Sequence, residues 1–303
     1  MTALDPADST ALAGSYPPLV TPFADGEVDL GAYERLVDRQ VRGGSQGVVV
    51  TGTTGEPSLL SAEERVALVR SAVAAAGGRI PVVAATGCGS YDETLALSTS
   101  AVGAGADALL VVTPYYLRPP QRGLVEYFCA LAGRLDVPVL IYHIPGRAAV
   151  SLDAASLEEI VRRAPNVVGM KHASADLAPV TEALRRIGPD FRVFVGLEEL
   201  SLPMLAVGAR GLMNAVGNLV PDRVAALWAA VEEQRLADAR KIHHELWELN
   251  QSVFFDTNPI PIKYMMRRMG ILERNEHRLP MVPATAELEG RLDGVLSRAG
   301  LLR

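Results

Sequence analysis

Short runs of apolar, largely β-branched residues recur eight times along the chain, and most are followed by a stretch with helical spacing. Most runs are nearly continuous in apolar residues rather than alternating, which is typical of strands that are covered on both faces. Strands and helices that alternate in this way predict an α/β fold with a parallel sheet. The predicted strands are Ser15–Thr21, Gly47–Thr51, Ile80–Ala85, Ala108–Thr113, Val137–Tyr142, Val167–Lys171, Arg192–Val195 and Gly211–Ala215.

Eight strand–helix units are the number that closes a (β/α)₈ TIM barrel. A doubly wound open sheet is the competing architecture, but no Gly-x-Gly-x-x-Gly sequence follows the first predicted strand. Ser61 and Glu64 stand at the spacing of a capping box and predict the start of a helix. The helices predicted between the strands are Gly31–Arg42, Ala62–Ala75, Tyr91–Ala104, Gly123–Leu135, Leu157–Ala164, Ala178–Ile187 and Leu200–Gly208.

The chain continues well past the eighth predicted strand, with more helical patterns than a single closing helix requires. We therefore predict a barrel core of residues 14–220 and a C-terminal helical subdomain of residues 221–303. Residues 1–13 are predicted to form a flexible N-terminal arm. The helices predicted in the subdomain are Pro221–Glu233, Ala237–Phe254, Pro261–Met269 and Ala284–Ala299.

The composition excludes several classes of protein. The net charge of −6 argues against a nucleic-acid-binding chain, which usually has a strongly basic face. Hydrophobic residues make up 49% of the chain, enough apolar surface to order most of it. The two cysteines cannot form a disulfide framework, and the acidic N-terminus is unlike a secretory signal. No apolar stretch is long enough to span a bilayer. These features predict a cytoplasmic protein.

Lys171 is the most informative of the polar residues at predicted strand ends, where a barrel of this kind places its active site. It closes the sixth predicted strand, directly after an apolar run. An ammonium ion buried there without a partner is costly, so burial favours the neutral, nucleophilic amine. Such an amine condenses with carbonyl compounds to a Schiff base, an electron sink for making or breaking C–C bonds. A lysine that reaches back to solvent is the alternative.

Further polar groups follow the other predicted strands. Tyr142 ends the strand next to that of Lys171 and could move protons, or could simply pack inside the barrel. The Gly-Thr-Thr-Gly turn at residues 52–55 offers backbone amides and hydroxyls that suit a carboxylate. Arg147 could bind a second carboxylate through its planar guanidinium group, or could pair with surface acids.

The histidines and cysteines do not predict a metal or redox site. His143 and His172 lie beside Tyr142 and Lys171, but neither has a ligand partner at metal-binding spacing. We expect both to pack or to support their neighbours. Cys88 follows the third predicted strand and is expected to be an inert small residue.

Together these motifs resemble those of the class I pyruvate-dependent lyases of the dihydrodipicolinate synthase and N-acetylneuraminate lyase superfamily. The resemblance covers about residues 14–302 and rests on GVVVTGTTGE at residues 47–56, YHIPGR at 142–147 and GMK at 169–171. Residues 112–120 and 258–263 are similar to the synthase branch in particular. The resemblance implies an enzyme that condenses pyruvate with aspartate semialdehyde, on the route to lysine.

The resemblance also implies roles for catalytic residues. Lys171 would form the Schiff base with pyruvate, and a proton relay would consist of Tyr142, Thr53 and Tyr116. In the family's usual homotetramer, which is built from tight dimers, Tyr116 reaches across the dimer interface. No metal and no organic cofactor is implied, because the lysine itself supplies the electron sink.

Four further positions are implied to bind substrate. Thr54 and the backbone around Met213 would hold the pyruvate carboxylate, and Gly196 opens the loop after the seventh predicted strand. Arg147 would meet the acidic end of the aldehyde.

The chain departs from the usual synthase pattern at positions that we expect to surround the aldehyde pocket. His143 replaces an Asn or Asp, His172 replaces a Glu or Asp, and Pro57 replaces a small residue. The loop at residues 196–199 reads GLEE where synthases usually have Gly-Asp-Asp. A catabolic aldolase or dehydratase acting on a 2-keto-3-deoxy sugar acid, N-acetylneuraminate or a hydroxy-oxo acid therefore remains an alternative. A non-catalytic keto-acid sensor is a second one, although the Schiff-base residues are intact.

The family's lysine-feedback site has also changed in this chain. Lysine-sensitive members carry two histidines and an asparagine where this sequence has Ala62, Arg65 and Gly89, while Glu93 and Tyr115 lie nearby. We therefore expect inhibition by lysine to be weak or absent.

Overall fold

The structure is a computed structural model that describes residues 12–302. Residues 1–11 of the predicted N-terminal arm lie outside the described residues, while Leu12 is fully buried. Within residues 12–302, a parallel sheet of eight strands forms a barrel, and a two-stranded antiparallel hairpin follows the first of them. The barrel strands are β1 (Gly14–Ser15), β4 (Val48–Val50), β5 (Val82–Ala85), β6 (Ala108–Val112), β7 (Val139–His143), β8 (Val167–His172), β9 (Arg192–Val195) and β10 (Gly211–Leu212), and the hairpin strands are β2 (Phe23–Ala24) and β3 (Glu27–Val28).

The two edges of the eight-stranded sheet meet and close the barrel. The amide of Val49 in β4 donates to the carbonyl oxygen of Pro17 at 3.0 Å, and the amide of Leu19 donates to the carbonyl oxygen of Val49 at 3.0 Å. Strand β1 is shorter than the predicted Ser15–Thr21 because Pro17 and Pro18 have no N–H to donate to a ladder. The predicted (β/α)₈ barrel is confirmed.

The helices lie between the strands and after the last of them, largely as predicted. Ser61 and Glu64 form the predicted capping box at the start of the second helix. The helices are α1 (Leu30–Arg42), α2 (Ala62–Ala76), α3 (Tyr91–Gly103), α4 (Gln121–Ala132), α5 (Pro145–Ala148), α6 (Ala154–Arg163), α7 (Ala178–Ile187), α8 (Ser201–Ala206), α9 (Pro221–Glu232), α10 (Leu236–Glu245), α11 (Trp247–Ser252), α12 (Ile260–Arg268) and α13 (Ala286–Arg298).

Most predicted helices differ from the observed ones by one to three residues at their ends, one predicted helix is divided, and one observed helix was not predicted. The predicted helix Ala237–Phe254 is divided into α10 and α11, which meet at Leu246. Helix α6 begins before the predicted Leu157, because the side chain of Asp153 accepts from the amide of Ser156 and caps it. Helix α5 is a single turn that starts at a proline, too short for a periodic pattern to reveal.

Apolar side chains pack in two layers, one inside the barrel and one between the strands and the surrounding helices. The inner layer includes Tyr16 and Phe194, whose rings pack edge to face with centroids 5.3 Å apart. Helix α9 contacts β1 and β10 from outside. Within residues 12–302, no helix is long and apolar enough to cross a membrane.

The C-terminal helices reach the end of the barrel where the strands terminate. Helix α11 packs against the 3₁₀ turn Glu198–Leu200 after β9, and α12 packs against the 3₁₀ turn Ala215–Asn218 after β10. The helical composition predicted for residues 221–303 is therefore seen, with its first helix against the barrel wall. The division into a core of residues 14–220 and a separate subdomain remains a prediction.

Candidate active site

A β-bulge turns Lys171 into the barrel. Val167 of β8 packs in the outer apolar layer, and strict alternation would place Lys171, four residues later, on that same outer face. The pairing of β8 with β7 skips Val168, so one extra residue is inserted before Lys171. The faces are exchanged as a result: Met170 packs in the outer layer, and Lys171 lines a cavity inside the barrel mouth. The Lys171 side chain is 5% exposed.

Two glycines near this lysine leave room that a side chain would fill. Gly169 lets β8 approach β9, and Gly196 leaves space for the lysine side chain. A Cβ atom at Gly169 would lie 2.2 Å from the carbonyl oxygen of Arg192 on β9. A Cβ atom at Gly196, directly after β9, would lie 2.9 Å from Cε of Lys171. Gly196, predicted to bind substrate, therefore makes room for the lysine side chain itself.

Tyr142 and Thr53 lie next to Lys171, as the sequence predicts. Tyr142 is the cross-strand partner of Lys171, and the lysine Nζ atom lies 4.5 Å from the centroid of the tyrosine ring. Thr53 begins a 3₁₀ turn after β4, and its hydroxyl donates to the Tyr142 hydroxyl at 3.4 Å. The fold thus brings an amine, a phenol and an aliphatic hydroxyl, from three different strand ends, to one point.

Thr54 is held by a residue that the sequence interpretation left out of the site. Thr54 is buried in the same turn, and its Oγ1 accepts a 2.9 Å hydrogen bond from Nδ2 of Asn258, which precedes α12. The two residues are separated by 204 positions. No local pattern marks Asn258 as a site residue, because only the tertiary structure brings the C-terminal helices over the barrel mouth.

Met213 lines the same cavity as Lys171, in agreement with its predicted position. Its backbone amide donates to the carbonyl oxygen of Val195 at 2.8 Å. That amide is therefore occupied by the barrel ladder, and a carboxylate contact in this stretch has to come from a neighbouring group.

Two adjoining cavities open at the carboxyl ends of the strands. The inner one, of about 40 Å³, is lined by Lys171, Thr54, Gly196 and Met213 among others. The outer one has a volume of about 530 Å³ and extends to Arg65, Cys88 and Tyr115. Both are lined by Thr53, Tyr142, Ile144, Arg147 and Asn258. The outer cavity therefore joins the predicted catalytic residues to the positions assigned to lysine feedback.

Arg147 and Tyr116 differ in how the fold places them. Arg147, on the single turn α5, is exposed and lines both cavities. It forms no ion pair within residues 12–302, so the predicted pairing with surface acids is not seen and its guanidinium group is open to an anion. Tyr116 is 91% exposed, in the left-handed backbone region with φ of 73°. In a single chain it lies outside the linings of both cavities.

Glu198 belongs to the loop that the sequence places around the aldehyde pocket, but the sequence interpretation gives it no role of its own. It follows β9, lines the inner cavity with Lys171, and its Oε1 accepts from the amide of Ala215. Burial raises the pKa of this carboxyl group to about 7, although its hydrogen bonds and the charge of Lys171 oppose the shift. Its Oε2 atom is buried without a hydrogen-bond partner in the described part of the chain. The strand-end rule that identified Lys171 would also have selected Glu198.

His143 and His172 do not surround the aldehyde pocket, contrary to expectation. They follow Tyr142 and Lys171 on the two paired strands, so they point outward and line neither cavity. Their Nδ1 atoms are 3.1 Å apart and their rings are stacked. Burial, and then the neighbouring His172, lowers the pKa of His143 to about 4, and burial lowers the pKa of His172. The two histidines form a packed pair, as their predicted supporting role requires.

The tautomers of this pair follow from its contacts. The Nε2 atom of His172 lies 2.9 Å from the carbonyl oxygen of Asp176, which can only accept, so Nε2 carries the proton. The Nδ1 atom of His172 then accepts from Nδ1 of His143. Both rings are neutral, and they join β7 to β8 immediately beyond the residues that face the cavity.

Cys88 is buried and close to Thr94, and burial raises the pKa of its thiol. A raised pKa lowers the fraction of thiolate, the reactive form, which supports the inert role expected from the sequence.

Two other positions that differ from the usual synthase pattern do line the cavities. Pro57 lines the outer cavity, and Leu197 lines the inner one beside Glu198.

Known proteins of one family are similar to the chain over nearly its whole length. The model of the dihydrodipicolinate synthetase family matches residues 11–299. The 4-hydroxy-tetrahydrodipicolinate synthase of Thermus thermophilus is 44% identical over 290 residues, which cover 95% of this chain and 97% of that protein. The crystal structure of dihydrodipicolinate synthase from Aquifex aeolicus superposes with a TM-score of 0.93 at 38% identity, covering 95% of this chain and 98% of the other.

A third similar protein carries a ligand. The chloride-inhibited dihydrodipicolinate synthase from Acinetobacter baumannii, solved in complex with pyruvate, has a TM-score of 0.92 and is 32% identical. The superposition covers 96% of this chain and 99% of that one.

Proposed function

The chain belongs to the dihydrodipicolinate synthetase family, and on that premise we propose that it is a 4-hydroxy-tetrahydrodipicolinate synthase, a class I lyase that joins pyruvate to aspartate semialdehyde. The observation that carries this proposal is the bulge in β8, which turns Lys171 inward against Tyr142 at a cavity. A buried amine beside a phenol and two threonine hydroxyls provides the nucleophile and the proton-transfer groups that Schiff-base chemistry requires.

Pyruvate chemistry begins with the amine. The Nζ atom of Lys171 attacks the ketone carbon of pyruvate and gives a carbinolamine, which loses its hydroxyl group as water to form the Schiff base. Loss of a proton from the methyl carbon gives an enamine, whose carbon attacks the aldehyde of the second substrate and forms the C–C bond. The amino group of that substrate then closes the ring by displacing Lys171, which returns as a free amine.

Each step moves a proton, and the neighbouring hydroxyl groups support a relay. Tyr142 lies against Lys171 and is hydrogen-bonded to Thr53, so it can protonate the departing hydroxyl group and recover a proton from the methyl carbon. Thr54, Met213 and Gly196 line the inner cavity, where the pyruvate carboxylate would lie. Arg147 lies in both linings, where its free guanidinium group would meet the carboxylate of the aldehyde.

Borohydride trapping tests the Schiff base directly. With pyruvate and borohydride, the wild-type protein should gain the mass of one reduced adduct per chain, located on Lys171. Lys171→Ala and Lys171→Arg should gain no adduct and should lose at least about a thousandfold in turnover, because neither side chain can supply the nucleophile. Either variant turning over at the wild-type rate would contradict the proposal. A wild-type chain left without an adduct would favour the keto-acid sensor.

A panel of second substrates distinguishes the synthase from the catabolic alternatives. A coupled assay with pyruvate and aspartate semialdehyde should give turnover, whereas N-acetylneuraminate and 2-keto-3-deoxy sugar acids should not be cleaved. Cleavage of a sugar acid without turnover of aspartate semialdehyde would establish the lyase instead. The outward position of His143 and His172 weakens the argument that these residues change the acceptor.

We also infer a cytoplasmic homotetramer of tight dimers that uses no metal or organic cofactor. The location is supported by Cys88 and Cys129, both free thiols. The assembly is supported by the exposed apolar side chains that surround Tyr116, among them Tyr115 and Leu117.

Lysine inhibition should be weak or absent. Arg65, where lysine-sensitive relatives have another ligand, lines the outer cavity together with Glu93 and Tyr115. A guanidinium group there repels the ammonium groups of lysine. Activity should be unchanged at millimolar lysine, and an inhibition constant below 1 mM would show that this site has been misinterpreted.

A further inference from the structure

Two contacts link the C-terminal part of the chain to the Thr53–Gly55 turn and to Glu56, which follows it. Asn258 donates to the hydroxyl of Thr54, and Lys263 on α12 donates to Oε1 of Glu56 at 3.0 Å. Both members of the Lys263–Glu56 pair are almost completely buried. The second contact fixes α12 against the turn, and the first acts on a hydroxyl that lines the cavity.

The direction of the hydrogen bond from Asn258 decides what the Thr54 hydroxyl can do. A hydroxyl group has one proton to donate and two lone pairs that accept. Because Nδ2 of Asn258 occupies a lone pair of Oγ1, the Thr54 proton remains available to the cavity. A substrate carboxylate can only accept, so it needs that proton.

The side-chain amide of Asn258 sets the direction of this hydrogen bond. It is 8% exposed, it lines both cavities, and its Oδ1 atom is buried without a hydrogen-bond partner in the described part of the chain. If the amide were reversed, Oδ1 would accept from Thr54, and the threonine would present a lone pair to the carboxylate, which is repulsive. The hydroxyl direction therefore depends on the residue at position 258.

We propose that Asn258 is a positioning residue that orients the Thr54 hydroxyl so that its proton is directed at the carboxylate of pyruvate. The inference rests on the proposed function and extends it to a residue outside the barrel. Asn258 acts through Thr54, so its contribution disappears when Thr54 has no hydroxyl group.

A double-mutant cycle between Asn258 and Thr54 tests this dependence. The measured quantity is the pyruvate concentration that gives half-maximal borohydride trapping, which needs no aldehyde. Asn258→Ala should raise it about tenfold, as expected for the loss of support to a hydrogen bond with a charged group. In the Thr54→Val background, Asn258→Ala should change it less than about twofold. In the Thr54→Ser background, which keeps the hydroxyl, the tenfold effect should return.

Further measurements separate orientation from a purely structural role. Asn258→Asp is nearly isosteric but can only accept while ionised, so it should weaken pyruvate binding more than Asn258→Ala does. The same comparisons with Asn258→Ser, which leaves a smaller hole, keep the test valid if the alanine variant unfolds at the assay temperature.

These experiments distinguish failure of the positioning role of Asn258 from failure of the proposed synthase function. An effect of Asn258→Ala that is equally large in the wild-type and Thr54→Val backgrounds would overturn the positioning role while leaving the synthase proposal intact. A wild-type chain that pyruvate and borohydride do not modify would overturn both.

Discussion

Glu198 lines the inner cavity beside Lys171, where the proposed function places the carboxylate of pyruvate. Its Oε1 atom accepts from a backbone amide, while its unpartnered Oε2 atom is a natural place for a proton. Since burial raises its pKa to about 7, the group is largely neutral in mildly acidic solution and charged in mildly alkaline solution. A neutral acid avoids the like-charge repulsion that a carboxylate would exert on substrate carboxylates.

The raised pKa of Glu198 makes the stability of the protein depend on pH. The folded protein keeps this proton up to about pH 7, whereas the unfolded chain releases it near the ordinary value of 4.5. Unfolding therefore releases a proton between these values, and the stabilising contribution, complete below pH 4.5, is lost as the pH rises through 7. Glu198→Gln should remove this component, so that its melting temperature declines by several degrees less than that of the wild type between pH 4.5 and 8.

Thermal unfolding followed by circular dichroism across this pH range measures the difference. Glu199→Gln is the matched control, because it removes the adjacent, half-buried carboxylate. If both variants follow the wild-type curve, the pKa of Glu198 in the folded protein is near its ordinary value.

At the scale of one element, strand β8 shows how a local irregularity determines chemistry. The apolar run before Lys171 predicts a strand, but a regular strand would place this lysine on the helix-facing side with Val167. The bulge at Val168 reverses that direction, and Gly169 leaves room for the carbonyl oxygen of Arg192 directly beside it. The bulge therefore decides that the proposed nucleophile faces the cavity.

Gly169→Ala tests the role of the bulge. The added Cβ atom would lie 2.2 Å from a backbone oxygen, so β8 and β9 must move apart. We expect a loss of about 1–3 kcal/mol in the free energy of unfolding and at least a tenfold loss in pyruvate trapping.

The control for this variant is Gly290→Ala on α13, where an added Cβ atom meets nothing within 4 Å. It should leave trapping unchanged and stabilise the protein by about 1 kcal/mol, because alanine favours the helix interior. Normal trapping in Gly169→Ala would mean that Lys171 faces the cavity without help from the bulge.

At the scale of the whole molecule, a single chain does not bring every residue of the proposed relay to its own cavity. Tyr116 is exposed and lies outside the linings of both cavities of its own chain. A second copy that packs on the exposed apolar side chains around Tyr116 would supply this tyrosine to its partner's site.

Complementation between two inactive variants tests whether sites are shared. Tyr116→Phe and Lys171→Ala should each be strongly impaired alone. After the two proteins are unfolded together and refolded, a mixed dimer contains one site with both groups intact. Random pairing should restore about a quarter of the wild-type activity. No gain over the separate proteins would place Tyr116 in the site of its own chain.

Much of the fold can be predicted from the sequence, because the apolar patterns of strands and helices are local. Eight apolar runs of strand length, separated by helical spacing, suffice to predict the barrel, and the rule that function lies at strand ends selects Lys171, Tyr142, Thr53, Thr54 and Arg147. The shortened β1 and the division between α10 and α11 lay beyond this pattern. The first follows from Pro17 and Pro18, whose missing N–H groups an apolar pattern does not register. The second depends on packing that the residue types do not specify.

By itself, then, the sequence determined which strands exist and which polar residues end them. The tertiary structure decided where those residues point and what they meet: a bulge in the pairing of two strands turns Lys171 inward and leaves His172 facing outward, and the C-terminal helices bring Asn258 to Thr54 across 204 positions. The physical reason is that periodicity records burial along one segment. The register between segments, and the contacts between distant ones, are fixed only when the whole chain packs.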